Sequence, residues 1–485
     1  MMPAFAEVHV VSDLHLGGQT GFQIFNQGLR LAATIRELAK GAATPKALVL
    51  NGDVFDFLAE DPVSPTGLDL VGAVTKVKRI VEDAEEFAPV FAALRAFLAG
   101  NGHHLIVVLG NHDVELALPN VRYWLTNWLT ETTPGARARI VWAVDGAGFI
   151  CKVGAKRVLC VHGNEMDPWN VVDHRALLNV VRAYNRTQPL PDWEPNAGTR
   201  LVIEVMNQIK REHPIVDLLK PETQAALPVV VALDPKYLGA VGRVLKLSAR
   251  KSVDGIKMTA GFLGGEPAGV AEQPSEREAL DAILADMVAD TKKSTFEERT
   301  VRLQQMIVGE LPMPPPPERA GEQHLGLWSW FQEKATPETL RHALRRWLKK
   351  DTTFDVGAPD DQFKALDAAV GGDIDYLVAG HTHLRRALLR SRGGTFYFNT
   401  GTWIRLVQLP GTVLDDAAEF EKVYASLGAS KMSELDSAMI GNEKLVKTVP
   451  TVASIWTDAG RVVGALFDAK DDGKLEEVAG TRYPR

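Results

Sequence analysis

Three times near the start of the chain, a short apolar run ends on a glycine-bearing turn loaded with Asp, Asn or His. Val8–Val11 leads into Ser12-Asp13-Leu14-His15-Leu16-Gly17-Gly18, and Ala47–Leu50 into Asn51-Gly52-Asp53-Val54-Phe55-Asp56. Leu105–Leu109 leads into Gly110-Asn111-His112-Asp113. Runs this short and apolar read as buried strands. Between them lie helical patterns: Leu31, Ile35 and Leu38 before Gly41, and Phe87, Val90, Phe91, Leu94 and Leu98 before Gly100. Such alternation predicts a layered α/β fold whose polar turns gather at one sheet edge, where sites in such folds lie. Strand alternation sends Asp13 and His15 to one side, while His9, deeper in the strand, reads as a hydrogen-bonded structural histidine. His103 and His104 precede their strand and fall at its opposite end.

From Arg139 the pattern changes to short strands, Ile140–Val144, Phe149–Val153 and Arg157–Val161. Turns at Asp145-Gly146 and Gly154-Ala155 predict antiparallel hairpins. The last strand delivers His162-Gly163-Asn164-Glu165. Cys151 and Cys160 flank the second turn and read as buried thiols. Helical spacing then dominates as far as residue 372. Leu201, Val202, Val205 and Ile209 share a face, and capping boxes stand at Ser275–Glu278 and Thr295–Glu298. Thr336-Pro337-Glu338 opens a helix carrying Leu340, Leu344, Trp347 and Leu348. Gly264–Pro274 reads as a loop and Pro314–Pro317 as a stiff spacer. Pro228–Leu233 and Trp328, Trp330 and Phe331 are candidate apolar patches.

The frame resumes at Ile374–Ala379, which ends in Gly380-His381-Thr382-His383. Strands follow at Arg385–Leu389 and Thr395–Asn399. A final hairpin, Val452–Thr457 with Arg461–Phe467, is expected to complete a second sheet, with a charged tail fraying from Asp468. The organisation expected is a discontinuous domain, 1–165 with 373–485, interrupted by a helical insertion at 166–372.

Composition narrows the partners. A net charge of -7 argues against a general nucleic-acid binder, which needs a basic face. No apolar run approaches the roughly 18 residues of a membrane-spanning helix, and no leader pattern precedes the first strand. The expectation is a cytoplasmic protein, with peripheral contact at a membrane surface as the variant.

The strand-end residues Asp13, His15, Asp53, Asn111, His162, His381 and His383 mix carboxylates, imidazoles and one amide oxygen. That donor set suits Mn, Fe or Zn better than Ca or Mg. Seven ligands exceed one tetrahedral site, whereas two ions sharing a carboxylate use all of them. The ordered blocks Asp-x-His, Gly-Asp-x-x-Asp, Gly-Asn-His-Asp, His and Gly-His-x-His resemble the calcineurin-like metallophosphoesterase family. The resemblance implies a four-layer αββα sandwich of two mixed sheets, with a large, mainly helical insertion. It implies Asp13, His15 and His383 on one metal, Asn111, His162 and His381 on the other, and Asp53 between them. A bridging water would attack phosphorus, His112 would protonate the leaving oxygen, and Asp56 would hold the His112 imidazole.

The Leu14-His15-Leu16-Gly17 context, Gly163 and Thr382 are similar to the branch containing UDP-2,3-diacylglucosamine diphosphatases. Those enzymes typically carry Arg where this chain has His112, and their insertion is much smaller. The implied substrate is a phosphodiester or diphosphate, with a lipid-linked one among the options. Glu165, Arg385 and Arg405 are candidate substrate-binding residues, and the insertion is a candidate lid, substrate contact or oligomer contact. The alternatives are a metal-dependent nuclease, a phosphomonoesterase of the same fold, or a binding scaffold. A scaffold would be expected to lack a ligand, and none is missing.

Overall fold

The computed structural model describes residues 2–41, 44–219, 229, 337–347, 354–409, 411–429 and 431–485. They fall into two compact units. The first comprises Met1–Thr199, Phe354–Ile404 and Thr448–Arg485, and the second Arg200–Thr353 with Arg405–Lys447. The expected breaks at 165 and 373 both lie inside the first unit. Residues 405–447, assigned from sequence to the catalytic frame, belong to the second.

Two mixed sheets build the first unit. Its strands are β1 (Ala4–Phe5), β2 (Glu7–Val11), β3 (Lys46–Asn51), β4 (His103–Val108), β5 (Ile140–Ala143), β6 (Phe149–Val153) and β7 (Lys156–Cys160). After the insertion come β8 (Tyr376–Ala379), β9 (Arg385–Leu389), β10 (Phe396–Thr400), β11 (Thr451–Asp458), β12 (Arg461–Ala469) and β13 (Leu475–Glu477). One sheet runs β1-β6-β7-β8-β10-β9 and the other β13-β12-β11-β2-β3-β4-β5. Alternation along the strands divides the core. Val8, Val10, Val49, Ile106, Tyr376, Val378, Phe398 and Ile455 join one cluster drawing on both sheets. Leu377, Ala379 and Tyr397, of opposite parity, pack against Leu366 of the helix Asp361–Ala369. The helices α1 (Gly28–Leu38) and α2 (Ala88–Ala99) pack together, and α2 lies on β4. Sheet face and helix stripe each bury their apolar side, which is the reason for layers.

Three sequence expectations change. First, β5 makes no hairpin with β6. It pairs in parallel with β4, and the Asp145-Gly146 segment carries the chain from one sheet to the other. Second, the C-terminal hairpin extends the sheet of the N-terminal strands: β11 lies antiparallel to β2, with Ser454 opposite His9. The Ser454 hydroxyl and His9 Nδ1 lie 2.8 Å apart in the buried register, so each polar group supplies the other's partner. Third, the tail does not fray. β13 pairs with β12, the Tyr483 and Gly464 backbones exchange hydrogen bonds, and the Tyr483 ring stacks on Phe396 at 5.1 Å. Charge at Asp468–Lys474 disguised the apolar anchor beyond it.

Cys151 faces Val158 across the β6–β7 hairpin and Cys160 faces Phe149, so neither thiol opposes the other. Both are free and buried, and burial pushes the Cys151 thiol up to about 12.

In the second unit, Val205 and Ile209 are buried as their spacing implies, although a π-turn at Val202–Met206 interrupts the regular helix. The helix Pro337–Trp347 buries Leu340 and Leu344 and packs against the helices Gly411–Asp415 and Ala417–Leu427. Ser275–Glu278, Thr295–Glu298, Gly264–Pro274, Pro314–Pro317, Trp328, Trp330, Phe331 and, apart from Val229, Pro228–Leu233 lie outside the described residues.

Tyr483→Ala is expected to destabilise the protein by about 3–5 kcal/mol, as for a buried aromatic truncated to Ala. Urea denaturation measures this, and a loss below about 1 kcal/mol would return the tail to the frayed class.

Candidate metal centre

The metal-type residues of the first unit sit on turns that follow β2, β3, β4, β7 and β8. Simple strand alternation does not place them. The strand ends at Val11, and Asp13 and His15 take left-handed backbone at φ 53° and 48°. Asp53, His381 and His383 do the same at 49°, 70° and 61°. Left-handed backbone costs a non-glycine residue on the order of 1–2 kcal/mol, so five such residues at one site mark stored strain. Packing and backbone bonds hold it in place. The Asp13 and His15 N–H groups donate to the Gly52 and Asp53 carbonyls, tying the first turn to the second. Gly110 is required by close approach, because a Cβ there would overlap the Asp53 carboxylate.

Asp53 is the hub. It is 1 % exposed, and its Oδ2 lies 3.2 Å from His162 Nε2 and 3.8 Å from His15 Nε2. Its Oδ1 accepts the His112 N–H at 2.8 Å. Asp13, His15 and His383 bring one ligand atom each within 4.8 Å of one another, and so do Asp53, His162 and His381. His383 Nε2 is 3.4 Å from Asp13 Oδ1 and 3.1 Å from His15 Nε2. Asn111 Oδ1 is buried and finds no hydrogen-bond partner among the described residues. A further triad, His15, Asp56 and His112, is equally close. There His112 Nδ1 lies 3.4 Å from Asp56 Oδ1, which also caps the turn by accepting the Ala59 N–H.

The electrostatics fit a cation. Burial raises the Asp53 carboxyl, but the imidazoles of His162, His112 and His15 outweigh it and hold the group well below its usual value. Asp13 behaves alike, with burial overcome by His383 and His162. Burial alone would depress His162, yet Asp53 and Asp13 raise it to about 10. Positive charge is therefore favoured inside a buried cage, and the donors are nitrogen and oxygen of borderline softness. The orphaned Asn111 oxygen suits the same occupant. These residues fit divalent metal.

Asp113 is fully buried and structural. Its carboxylate accepts the N–H groups of Gly110 and Val54, stitching the second and third turns together. Burial and the charge of Asp53 push it up to about 7.

Residues 6–219 match the family model described as calcineurin-like phosphoesterase (Metallophos). The chain carries a calcineurin-like phosphoesterase domain. It is a hydrolase of phosphoester bonds, and its His and Asp groups are able to bind metal. The match ends before His381 and His383, which β8 brings back by pairing in parallel with β7. The domain's two mixed sheets with flanking helices agree with the family's sandwich. No curated protein sequence matches the chain. Among solved structures, the cold-active protein-tyrosine phosphatase of a psychrophile, Shewanella sp., aligns over 98% of this chain and 82% of that one. Identity is 10% and the TM-score 0.24, a superposition too loose to inform the fold. Among the described residues no helix is long and apolar enough to cross a membrane.

The three candidate substrate-binding residues have partners within the chain. Arg385 pairs with Asp468, and Glu165 accepts the Gly163 N–H at 2.8 Å. Arg405 belongs to the second unit, where it grips Asp436 through two hydrogen bonds of 2.7 and 2.8 Å. Sequence reading also missed the scaffold under the last turn. Asn399 donates to the Gly380 carbonyl at 2.7 Å, and Gln362 does so at 3.2 Å. The available signal was Asn399-Thr400-Gly401 at the end of β10, the same strand-to-glycine turn seen in the other blocks.

Beyond the third turn, Glu115 is buried beneath Asp69 and Lys76, accepting the Asp69 N–H at 3.0 Å. Burial raises its carboxyl from 4.5 to about 8, so the folded state retains a proton that the unfolded state releases. The stability this gives is full below pH 4.5, falls as pH rises and is gone above about 8. Glu115→Gln is expected to abolish that slope, stabilising the protein relative to wild type increasingly towards pH 8. Thermal melts across the range measure it, and parallel curves for the two proteins would show that Glu115 is ionised in the fold.

Proposed function

We propose that this domain binds two metal ions and hydrolyses a phosphodiester or diphosphate bond, with His112 as general acid. The observation that carries the reading is Asp53, a buried carboxylate within 4 Å of imidazoles from two ligand groups, His15 in one and His162 in the other. On this reading Asp13, His15 and His383 hold one ion, Asn111, His162 and His381 hold the other, and Asp53 is shared. Bound ions of the Mn, Fe or Zn class supply Lewis acidity towards phosphoryl oxygens and acidify a water.

The remaining work falls to the chain. His112 is the most exposed of the site's imidazoles, its side chain 20% accessible against 11% for His381 and 10% for His383. It can reach a substrate oxygen that the buried ligands cannot. Asp56 beside Nδ1 leaves Nε2 to carry the transferable proton, the arrangement general acid catalysis needs. Substrate choice is assigned to the helical insertion at 166–372, because segments added to a fixed frame select ligands. It would act as a lid, a substrate contact or an oligomer contact, and a lipid-linked phosphate remains among the substrates it would suit.

Metal analysis of the purified protein is expected to give about two ions per chain, with turnover of bis-p-nitrophenyl phosphate or a nucleotide diphosphate. His112→Ala is expected to lower kcat by about 10²–10⁴-fold without changing metal content. A metal-replete protein inert on every phosphate ester and diphosphate would sink the reading. Loss of metal in His112→Ala would make that residue a ligand. Cleavage of DNA in preference to small esters would favour a nuclease.

A further inference from the structure

Asp167 lies outside every block that the sequence singled out as ligand-bearing, yet it touches one of the candidate ligands. Its Oδ2 is 3.0 Å from His381 Nε2. The carboxylate is itself fixed from the other side. Oδ1 accepts the Trp169 N–H at 2.9 Å, and Oδ2 also accepts the Asn170 side-chain amide at 2.7 Å. The turn that presents it begins at His162, whose imidazole faces His381 edge-on with ring centroids 5.4 Å apart. The segment that supplies one candidate ligand therefore also supplies the clamp on another.

We infer that Asp167 is a positioning residue for the metal centre: it holds the proton of His381 on Nε2 and so leaves Nδ1 as the lone-pair atom available to an ion. The inference rests on the two-metal reading above. A carboxylate accepts and cannot donate, so a ring nitrogen hydrogen-bonded to it carries hydrogen. In a neutral imidazole the other nitrogen then carries the lone pair. His381 needs such a hold. It stands in left-handed backbone at φ 70° on a turn, its ring is partly exposed, and no strand fixes its rotation. The other carboxylate of the centre that touches His381, Asp13, engages only its backbone N–H.

Asp167→Asn tests this, with the Asn170 side-chain amide turned over so that its oxygen meets the new NH2. The amide oxygen can still accept the Trp169 N–H, while the amide NH2 now faces His381 Nε2 and demands an acceptor there. The imidazole is then driven to the opposite tautomer, with its proton on Nδ1. Long-range 1H–15N NMR of histidine-labelled apoprotein, with the His381 resonances assigned by their loss in His381→Gln, reads the tautomer directly. The expected result is a proton on Nε2 in wild type and on Nδ1 in Asp167→Asn. Calorimetric titration with Mn²⁺ or Zn²⁺ should show affinity at one of two sites weakened by about 10–100-fold. Asn170→Ala serves as the structural control, since it removes a contact to Asp167 without touching His381, and it should retain wild-type affinity. Unchanged tautomer and affinity in Asp167→Asn, or an equal loss in Asn170→Ala, would overturn the role of Asp167 and leave the two-metal reading standing. Failure of the wild-type protein to bind either metal would overturn both.

Discussion

A single buried carboxylate sets the terms for this domain. Asp53 cannot sit ionised in an apolar sandwich unless positive charge surrounds it, because an unpaired buried charge is prohibitively costly. Imidazoles from turns after β2, β4 and β7 answer that need, and the His112 N–H of the third turn donates to the remaining oxygen. The groups arrive from three different strands, so the sheet order and the close approach at Gly110 both serve to satisfy one carboxylate. The left-handed backbone at five candidate ligands is the local cost of that convergence. It is borne by two packed sheets whose shared core is apolar throughout.

The chemistry was legible because it is written in residue types. Strands ending in Gly with Asp, Asn or His declared the turns, and the helical spacing of Leu31, Ile35 and Leu38 declared a buried stripe. What was not legible depends on pairing. Nothing local distinguishes β5 as a parallel edge strand from β5 as half of a hairpin, since both read as short apolar runs. The partner of β11 was hidden for the same reason, although Ser454 against His9 now explains the register. Charge misled at the C-terminus, where the anchoring Tyr483 follows a run of Asp and Lys.

The supporting groups were the least visible part of the site. Asn399, Gln362 and Asp113 are buried polar residues whose meaning is purely positional: they satisfy backbone atoms of the metal turns. No composition or period marks such residues, because their partners are distant in sequence. The arginines show another kind of hidden partner. Arg385 and Arg405 each have a carboxylate partner within their own unit, Arg385 through one nitrogen to Asp468 and Arg405 through two to Asp436.

The path of the chain through β8 carries a consequence for how the protein comes into being. β8 enters between β7 and β10, so His381 and His383 reach the site only after the whole insertion has been made. A ribosome adding about 5–20 residues per second needs on the order of 20–70 s to pass from Asp13 to His383. Once His162 has been made, the nascent chain displays Asp13, His15, Asp53, Asn111 and His162 with His381 and His383 still unmade and an open edge beside β7. Assembly of the centre is thus a late event in biosynthesis, and the exposed edge of β7 during the wait is the place where a chaperone or a neighbouring nascent chain would find its opportunity.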